Sequence, residues 1–476
     1  MASDGAFFNP SKKLKEDFVS NLDGTSLLEI ASISAIVPVF ILLRQWDVFN
    51  LKWDQGVSAK IEIEKHSSTN TGSKDWRNYT FNLIIDFCLI VLPVLSFLTI
   101  LADWTFVLTV CLVLLALFRI FCTRFWPHSG ILSQTKSAST SYWKQSLSSS
   151  RFIMMLLTSL SILAVDFRIF PRRYAKTETY GTGLMDLGVG SFVVANAMVS
   201  RQARDISMKD GDAIKRVAPL LLLGFARSIL TKGVDYQVHA GEYGVHWNFF
   251  FTLAAVVILT SMIHIRPQYC GFFGCLILVV YQVALLCGLN KYLLSDGRGT
   301  NIFSLNKEGI FSLFGYWGLY LVSVNIGYHL YFLRKPISAR IVRVEGQSRL
   351  LIEVWLLCGL FWGLTILFDQ FVEKISRRMC NFAYTSFVLA VNAEVVGIIM
   401  LAYLIPTRKQ LVIVEVFNQN LLASFLLANI LTGLINISVE TLFVSPFVAY
   451  CILLAYAVAL VSGVAILKFC DLKLKF

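Results

Sequence analysis

The sequence predicts an all-α fold, a polytopic integral membrane bundle of about 13 transmembrane helices. Two properties of the composition lead to this class. Of the 476 residues, 56% are hydrophobic and only 15% are charged, whereas roughly 25% of the residues in a soluble domain are charged. The mean hydropathy of +0.66 fits repeated apolar runs of about 20 residues, the length that crosses a bilayer. A soluble globular protein is therefore excluded.

The number of helices follows from the apolar runs themselves. The runs that qualify are 26–43, 79–101, 104–122, 151–167, 183–200, 215–231, 247–264, 269–289, 309–332, 350–370, 381–405, 419–437 and 445–467. The second and third are separated by little more than Ala102 and Asp103, which predicts a helical hairpin. The chain has neither a visible internal repeat nor a separate soluble region, so residues 1–476 are expected to form one membrane domain.

The distribution of basic residues predicts the orientation of the bundle. The loops on the side of the C-terminus hold the larger share of the 42 Lys and Arg residues, and cytosolic loops carry such an excess. We therefore expect a lumenal N-terminus and a cytosolic C-terminus. The formal charge of +12 is scattered over these loops and fits anionic lipid headgroups, so a nucleic-acid partner is not expected. Most of the ten cysteines lie in apolar runs at no metal-like or disulfide-like spacing.

A block of charge between two apolar runs is the first candidate site. It contains Asp166, Arg172, Arg173 and Lys176, and ionisable groups at a membrane edge are costly to desolvate, which marks them as functional candidates. Pro171 is expected to break the helix, so that the segment folds back into the bundle mouth. A carboxylate and an ammonium held there can serve as base and cation for acyl or glycosyl transfer. The alternative is that Asp166 only neutralises Arg172 or Arg173, and that the arginines anchor to phosphates.

A second candidate lies at the start of the seventh apolar run. His246 follows Glu242 by four residues, and a helical turn would place both side chains on one face. A histidine beside a carboxylate is the usual general-base pair. The neighbouring Trp247 and Asn248 belong to the same candidate substrate-binding set. The alternative is that His246 and Trp247 are interfacial anchors and that Asn248 caps the helix.

Asn306 and Lys307 precede another span in the same way, and they complete the candidate substrate-binding residues. Asn306 has a simpler alternative role as a helix cap. Several catalytic motifs are missing from the sequence, including G-x-S-x-G, H-E-x-x-H and the phosphate-binding P-loop. Covalent serine catalysis and zinc hydrolysis are therefore not favoured, and neither a metal nor a cofactor is expected.

The order of the motifs along the chain resembles that of the glycosylphosphatidylinositol (GPI) inositol acyltransferases of the PIG-W type. The longest matching motif is AVDFRIFPRRYAKTETYGTGLMDLGVGSFV, which contains the charged block. The other motifs are KEDFVSNLDGTSLLEI, EYGVHWNFFFTL, NKEGIFSLFGY, SRRMCN and FLLANILTGLINISVET. Together they extend over nearly the whole chain. The stretch 44–77 and the middle cytosolic loops show no match.

The resemblance implies an enzyme of the endoplasmic reticulum membrane with thirteen spans. Such enzymes transfer a fatty acyl group, typically palmitoyl, from acyl-CoA to the 2-hydroxyl of inositol in glucosaminyl-phosphatidylinositol. The family pattern implicates Asp166 and Lys176 in catalysis at a lumenal cavity and places the acyl chain among spans four to seven and twelve. Arg172 and Arg173 are then expected to help Lys176 hold the lipid phosphate or an oxyanion.

Two alternatives remain open at this level. In the first, His246 is the base, while Asp166 and Lys176 grip the glucosamine and phosphate of the substrate. In the second, the chain is a lipid or solute transporter, or a non-catalytic subunit of a lipid-processing complex. Transporter sites usually lie at mid-membrane between repeats, whereas the charges here cluster at one membrane face. The expected ligands are glucosaminyl-phosphatidylinositol, long-chain acyl-CoA and membrane lipids; protein partners are unknown.

Overall fold

The computed structural model describes residues 22–46, 72–125, 139–206, 212–232, 240–295, 297–332, 342–404 and 411–470, together with Phe18 and Ser20. The regular secondary structure in these ranges is helical, and the ranges contain no β-strand. The β-type contact among them is an isolated bridge between Gly24 and Thr182. The predicted all-α class is confirmed.

The helices are numbered in chain order. They are α1 Leu27–Gln45, α2 Gly72–Asp86, α3 Leu92–Phe97, α4 Thr105–Phe125, α5 Ser139–Ala164, α6 Leu187–Met198, α7 Asp212–Lys232, α8 Ala240–Tyr243, α9 Phe249–Met262, α10 Pro267–Ala284, α11 Asn290–Leu294, α12 Ile302–Leu305, α13 Lys307–Gly327, α14 Val342–Phe371, α15 Phe382–Met400, α16 Val412–Gln419, α17 Leu421–Ser438 and α18 Pro446–Phe469. Two π-helical turns, Phe87–Val91 and Leu285–Leu289, join α2 to α3 and α10 to α11. The predicted turn between the second and third runs is present, as a 3-10 turn at Ala102–Trp104.

Ten helical segments in the described ranges are long and apolar enough to cross a membrane. The polytopic prediction is therefore confirmed, but the count of thirteen is not. Helices α6 and α9 are apolar but belong to the shorter class of 10–17 residues. Helix α7 has the length, but Lys215, Arg216 and Arg227 dilute its apolar sequence.

The interior of the bundle is formed by α15, α1, α13 and α5. The buried share of the apolar segment is 78% in α15, 72% in α1 and 61% in both α13 and α5, against 17% in α4 and 22% in α14. Helix α15 packs against α14, α1, α5 and α6. The low burial of α4 and α14 shows that each has a wide face on the outside of the bundle, where contacts with lipid replace contacts with protein.

The mouth of the bundle is the end at which α1, α9, α13 and α15 begin and α5 and α14 end. Helix α5 ends at Ala164, well before Pro171. The expected break at Pro171 is therefore wrong in position, because the chain has already left the helix. Pro171 instead precedes a 3-10 turn, Arg172–Tyr174. The whole segment 165–183 is non-helical or 3-10 and lies over the mouth.

Candidate active site at the bundle mouth

Arg172 holds the first turn of this segment together. Its Nη2 donates to the main-chain carbonyls of Val165, Phe167 and Phe170 at 2.7, 3.3 and 3.2 Å. Its guanidinium group also lies 4.0 Å from the centre of the Phe18 ring. Burial lowers the pKa of Arg172 to about 10, although the charge of Asp166 opposes this shift. Arg172 thus closes the loop that presents Asp166.

Asp166 is oriented from the opposite side of the mouth. Asn436, near the end of α17, donates from Nδ2 to Asp166 Oδ2 at 2.8 Å. The Asp166 side chain is half-buried, so it is accessible from the mouth. Asn436 was not among the predicted site residues, although it lies within the matching motif FLLANILTGLINISVET.

Arg173 has acidic partners other than Asp166. Its Nε donates to Glu29 Oε1 and its Nη2 to Asp103 Oδ1, both at 2.8 Å. The hydroxyl of Tyr174 also donates to Glu29 Oε1 at 2.8 Å. Burial and the adjacent Glu29 charge raise the pKa of Tyr174 to about 12. These bonds tie the 3-10 turn to α1 and to the turn before α4, so Arg173 has a structural task whether or not it also meets a substrate.

Lys176 lies in a group of four charges that we call the Lys176 cluster: Lys176, Glu242, Arg377 and Asp186. Lys176 Nζ lies 2.7 Å and Arg377 Nη1 lies 3.1 Å from the same oxygen, Glu242 Oε1. Arg377 Nε lies 2.7 Å from Asp186 Oδ1. Exposure rises across the cluster, from 1% for Asp186 and 4% for Arg377 to 20% for Glu242 and 38% for Lys176. The cluster is therefore buried at the Asp186 and Arg377 end and open to the mouth at the Lys176 end.

The charges of the cluster act on Glu242. Burial alone would raise the pKa of its carboxyl group, but the positive charges of Lys176 and Arg377 outweigh burial and lower the pKa to about 2. At neutral pH Glu242 is therefore a carboxylate that holds the Lys176 ammonium in place. A general base needs a pKa closer to the working pH, so Glu242 serves as a positioning group.

Asp186 fixes the loop that carries Lys176. Its carboxylate accepts hydrogen bonds from the Thr177 main-chain N–H at 3.2 Å, the Thr177 hydroxyl at 2.9 Å and the Gly183 N–H at 2.8 Å. With Arg377 added, this buried carboxylate is well satisfied, as a buried charge must be. Arg377 was not predicted as a site residue, although it lies in the matching motif SRRMCN. Asp186 belongs to the charged block and to the longest matching motif, but no role was assigned to it from the sequence.

The expected Glu242–His246 pair is wrong. Helix α8 ends at Tyr243, and Gly244 adopts a φ of +113°. A Cβ at Gly244 would lie 2.5 Å from Asn306 Cα, so the sharp turn depends on glycine. The turn separates the two side chains: Glu242 faces the Lys176 cluster, whereas His246 is exposed.

Trp247 and Asn248 have well-defined structural partners. Trp247 Nε1 donates to the Thr252 hydroxyl at 2.9 Å. Asn248 caps α9, because its Oδ1 accepts from the N–H groups of Phe250 and Phe251. Its Nδ2 donates to Gly224 O at 2.9 Å, which joins α9 to α7. The cap proposed from sequence as the alternative is thus confirmed.

A second group of charges lies at the start of α13; we call Lys307, Glu308, Arg298 and Arg378 the Lys307 cluster. Lys307 and Glu308 are both 0% exposed. Lys307 Nζ donates to the oxygens Tyr292 O, Ser295 O, Ser295 Oγ and Gly297 O. Glu308 Oε1 lies 2.7 Å from Arg298 Nη2 and 2.9 Å from Arg378 Nη2. In this conformation Lys307 has no donor directed at the mouth.

Asn306 does not cap α13 with its side chain. Its Oδ1 instead accepts from the His246 N–H at 2.8 Å, which links the loop before α9 to the start of α13. The structure therefore brings Asp166, with Arg172 beside it, and Lys176, with Glu242 beside it, to one mouth. It places His246 on the exposed rim and Lys307 in a closed compartment.

The comparisons with known proteins extend over nearly the whole chain. The sequence model of the GWT1 family matches residues 11–467. This range includes every residue of the mouth described above.

Three relatives show the same extent of similarity. An uncharacterised protein of Arabidopsis thaliana is 48% identical over 442 residues, which is 93% of this chain and 99% of the relative. The GPI-anchored wall transfer protein 1 of Aspergillus oryzae is 34% identical over 96% of this chain and 97% of its own length. The glucosaminyl-phosphatidylinositol-acyltransferase PIGW of Bos taurus is 32% identical over 98% and 99%. Together with the family match, these relatives confirm the resemblance found in the motifs, and this chain belongs to the GWT1 family.

Proposed function

We propose that this protein is an acyltransferase that acylates the inositol of glucosaminyl-phosphatidylinositol in GPI-anchor biosynthesis, with long-chain acyl-CoA as donor. The observation that carries the proposal is the end-to-end similarity to the Bos taurus protein of that name. The mouth supports it because it holds a half-buried, oriented carboxylate and a partly exposed ammonium. Acyl transfer from a thioester to an alcohol needs a group that accepts the hydroxyl proton and a positive group for the oxyanion.

In the proposed mechanism Asp166 orients the inositol 2-hydroxyl and accepts its proton. The oxygen attacks the thioester carbonyl, and Lys176 stabilises the negative charge that develops on the carbonyl oxygen. The tetrahedral intermediate then breaks down, so that the new C–O bond remains and the C–S bond breaks. CoA leaves as the thiolate and takes up the proton from Asp166, so charge and protons balance. Asn436 and Glu242 are positioning residues, because each holds one reacting side chain by a hydrogen bond.

The decisive experiment uses the purified protein, glucosaminyl-phosphatidylinositol and palmitoyl-CoA, with mass spectrometry of the acylated lipid. We expect Asp166→Asn to lower turnover at least about 100-fold, the scale of general acid–base catalysis. His246→Ala is the matched control and should retain near-normal turnover. Loss of turnover in His246→Ala with normal turnover in Asp166→Asn would show that the general base is His246 and not Asp166. Product formation that does not depend on either residue would indicate a contaminant, and lipid movement without acylated product would indicate a transporter.

We also propose that the protein resides in the endoplasmic reticulum membrane with its mouth and N-terminus in the lumen and its C-terminus in the cytosol. The excess of Lys and Arg on the C-terminal side supports this orientation. The sequon Asn78-Tyr79-Thr80 would then face the cytosol and stay unmodified. A glycosidase-sensitive mass shift that Asn78→Gln abolishes would overturn the orientation.

A further inference from the structure

A partly polar cavity of about 360 Å³ lies at the mouth beside α1, outside the clusters described above. Its lining comes from the chain around the start of α1, the 165–183 segment, the end of α14 and the residues that follow α14. It includes Thr25, Ser26, Leu27, Tyr180, Asp369 and Lys374. Its volume lies within the range of small-ligand sites. We call this cavity the chamber.

An apolar cavity of about 740 Å³ lies between α1, α4, α14 and α15. We call it the groove. The residues of α1 that line it recur at helical spacing down to Leu42, with Ala31, Ala35 and Val39 among them. Glu394 is the charged side chain in its lining, and the Trp362 indole Nε1–H donates to Glu394 Oε2 at 3.2 Å.

The chamber and the groove are adjacent. Leu27 lines both, and on α14 the groove residue Ile366 is one turn before the chamber residue Asp369. From Leu27 to Leu42 the groove follows α1 for about 22 Å at 1.5 Å per residue. One leaflet of the hydrocarbon core is about 15 Å deep, so the groove is long enough for an acyl chain. A polar compartment at the membrane edge above an apolar channel has the shape and polarity of a phospholipid.

We propose that the chamber and the groove bind the acceptor glycolipid before it reacts, with its phosphorylated polyhydroxyl headgroup in the chamber and one acyl chain in the groove. This inference rests on the proposed function. Lys374 supplies the positive charge, because its Nζ carries three N–H donors, is 65% exposed and lies 2.9 Å from one acceptor, Asp369 Oδ2. The remaining donors suit a phosphate. Ser26 Oγ accepts from the Glu29 N–H at 3.2 Å and keeps its own O–H for a headgroup hydroxyl. The Thr25 hydroxyl donates to Glu29 and the Tyr180 hydroxyl donates to Glu373, so these two hydroxyls serve the headgroup as acceptors.

The chamber is next to the reacting groups. The Gly181 N–H donates to Ile375 O at 2.9 Å, and these two residues form one wall. Gly181 belongs to the same segment as Lys176, and Ile375 comes two residues before Arg377. A headgroup in the chamber is therefore separated from the Lys176 cluster by the backbone that carries the cluster. A short displacement over this wall brings the headgroup to Lys176.

The first test measures steady-state kinetics of the full-length protein in nanodiscs. Ala31→Trp fills the groove just below the chamber, and Lys374→Gln removes the charge. We expect each to raise the KM for glucosaminyl-phosphatidylinositol about tenfold, equivalent to about 1.4 kcal/mol. The kcat and the KM for acyl-CoA should change less than about twofold. Val280→Trp is the control, because Val280 is 61% exposed on α10 and α10 lines neither the chamber nor the groove. An unchanged acceptor KM in both variants, or a raised acyl-CoA KM instead, would overturn the site.

The second test is independent of turnover. An inositol glycolipid with a photoreactive group in its acyl chain is crosslinked to the wild-type protein, and the labelled peptides are identified by mass spectrometry. Labelling of α1 and α14 that falls in Ala31→Trp but not in Val280→Trp supports the site. If the protein is active and the label lies on other helices, the site is refuted. If the protein is inactive but α1 and α14 are labelled, the site holds and the proposed function fails.

Discussion

The Lys176 cluster and the Lys307 cluster contain the same kinds of charge at the same end of the bundle, yet they differ in exposure. Lys176 is 38% exposed and bonded to one carboxylate oxygen. Lys307 is 0% exposed, and its ammonium donates to oxygens of Tyr292, Ser295 and Gly297. A charge enclosed by its partners stabilises a fold, whereas a charge held from one side retains donors for a substrate. The pair therefore separates a structural ion cluster from one suited to catalysis.

A substitution of Arg377 tests the buried end of the Lys176 cluster. Arg377→Met leaves Asp186, which is 1% exposed, without its ion-pair partner. Removing one partner of a buried pair costs about 3–5 kcal/mol, and we expect a loss of this size in the free energy of unfolding. Turnover should also fall, because Arg377 helps to hold Glu242 and through it Lys176. Thermal unfolding followed by tryptophan fluorescence, together with the acylation assay, measures both effects.

Arg377→Lys is the control for charge alone. Lysine keeps the positive charge but loses the fork that reaches two carboxylates at once, so we expect partial recovery of stability and little recovery of turnover. Wild-type stability in Arg377→Met would show that the hydrogen bonds from Thr177 and Gly183 are enough to stabilise Asp186.

The two lysines should give opposite results when each is replaced by methionine. Lys176→Met should lower turnover about 100-fold, the usual cost of losing one oxyanion donor, with little change in stability because the site is partly solvated. Lys307→Met should lower stability by about 3 kcal/mol, since it leaves the buried oxygens of Tyr292, Ser295 and Gly297 without their donor. Turnover per folded molecule should then stay near the wild-type value. Thermal unfolding and the acylation assay are measured on the same preparations.

A large loss of turnover in folded Lys307→Met would break the distinction between the clusters. It would show that the start of α13 opens to the substrate in a conformation other than this one. If both replacements changed turnover equally little, Lys176 would have no part in the mechanism.

The smallest expected effect is the pH dependence of the Glu242 contribution. Its pKa in the folded protein is about 2, below the ordinary value of 4.5. A lowered carboxyl pKa stabilises the fold above the unfolded value and loses this effect as the pH falls toward the folded value. The stability difference between the wild type and Glu242→Gln, about 1–2 kcal/mol for a partly exposed pair, should therefore be constant from pH 8 to 5. It should shrink below about pH 4.5, in thermal unfolding curves recorded at each pH. A difference that grows on acidification would show that Glu242 is protonated in the folded state.

The sequence was sufficient to predict the class and to propose a candidate site. Apolar runs predicted the all-α membrane bundle, because about 20 apolar residues have few stable alternatives to a helix in a bilayer. The charged block was a candidate site because ionisable residues at a membrane edge are costly to desolvate, and the family resemblance singled out Asp166 and Lys176 within it. The number of spans was less certain, since α6 and α9 are short and α7 is diluted by charge.

What the sequence by itself determined was the membrane class, the family pattern and the list of charged residues at the mouth. Only the tertiary structure decided their partners. Asn436 is 270 residues from Asp166, and Arg377 is 191 residues from Asp186. Local spacing also misled at Glu242 and His246, because Gly244 turns the chain where a helix was expected. The physical reason is that desolvation and Coulomb interactions depend on distances in space, which a linear pattern does not contain.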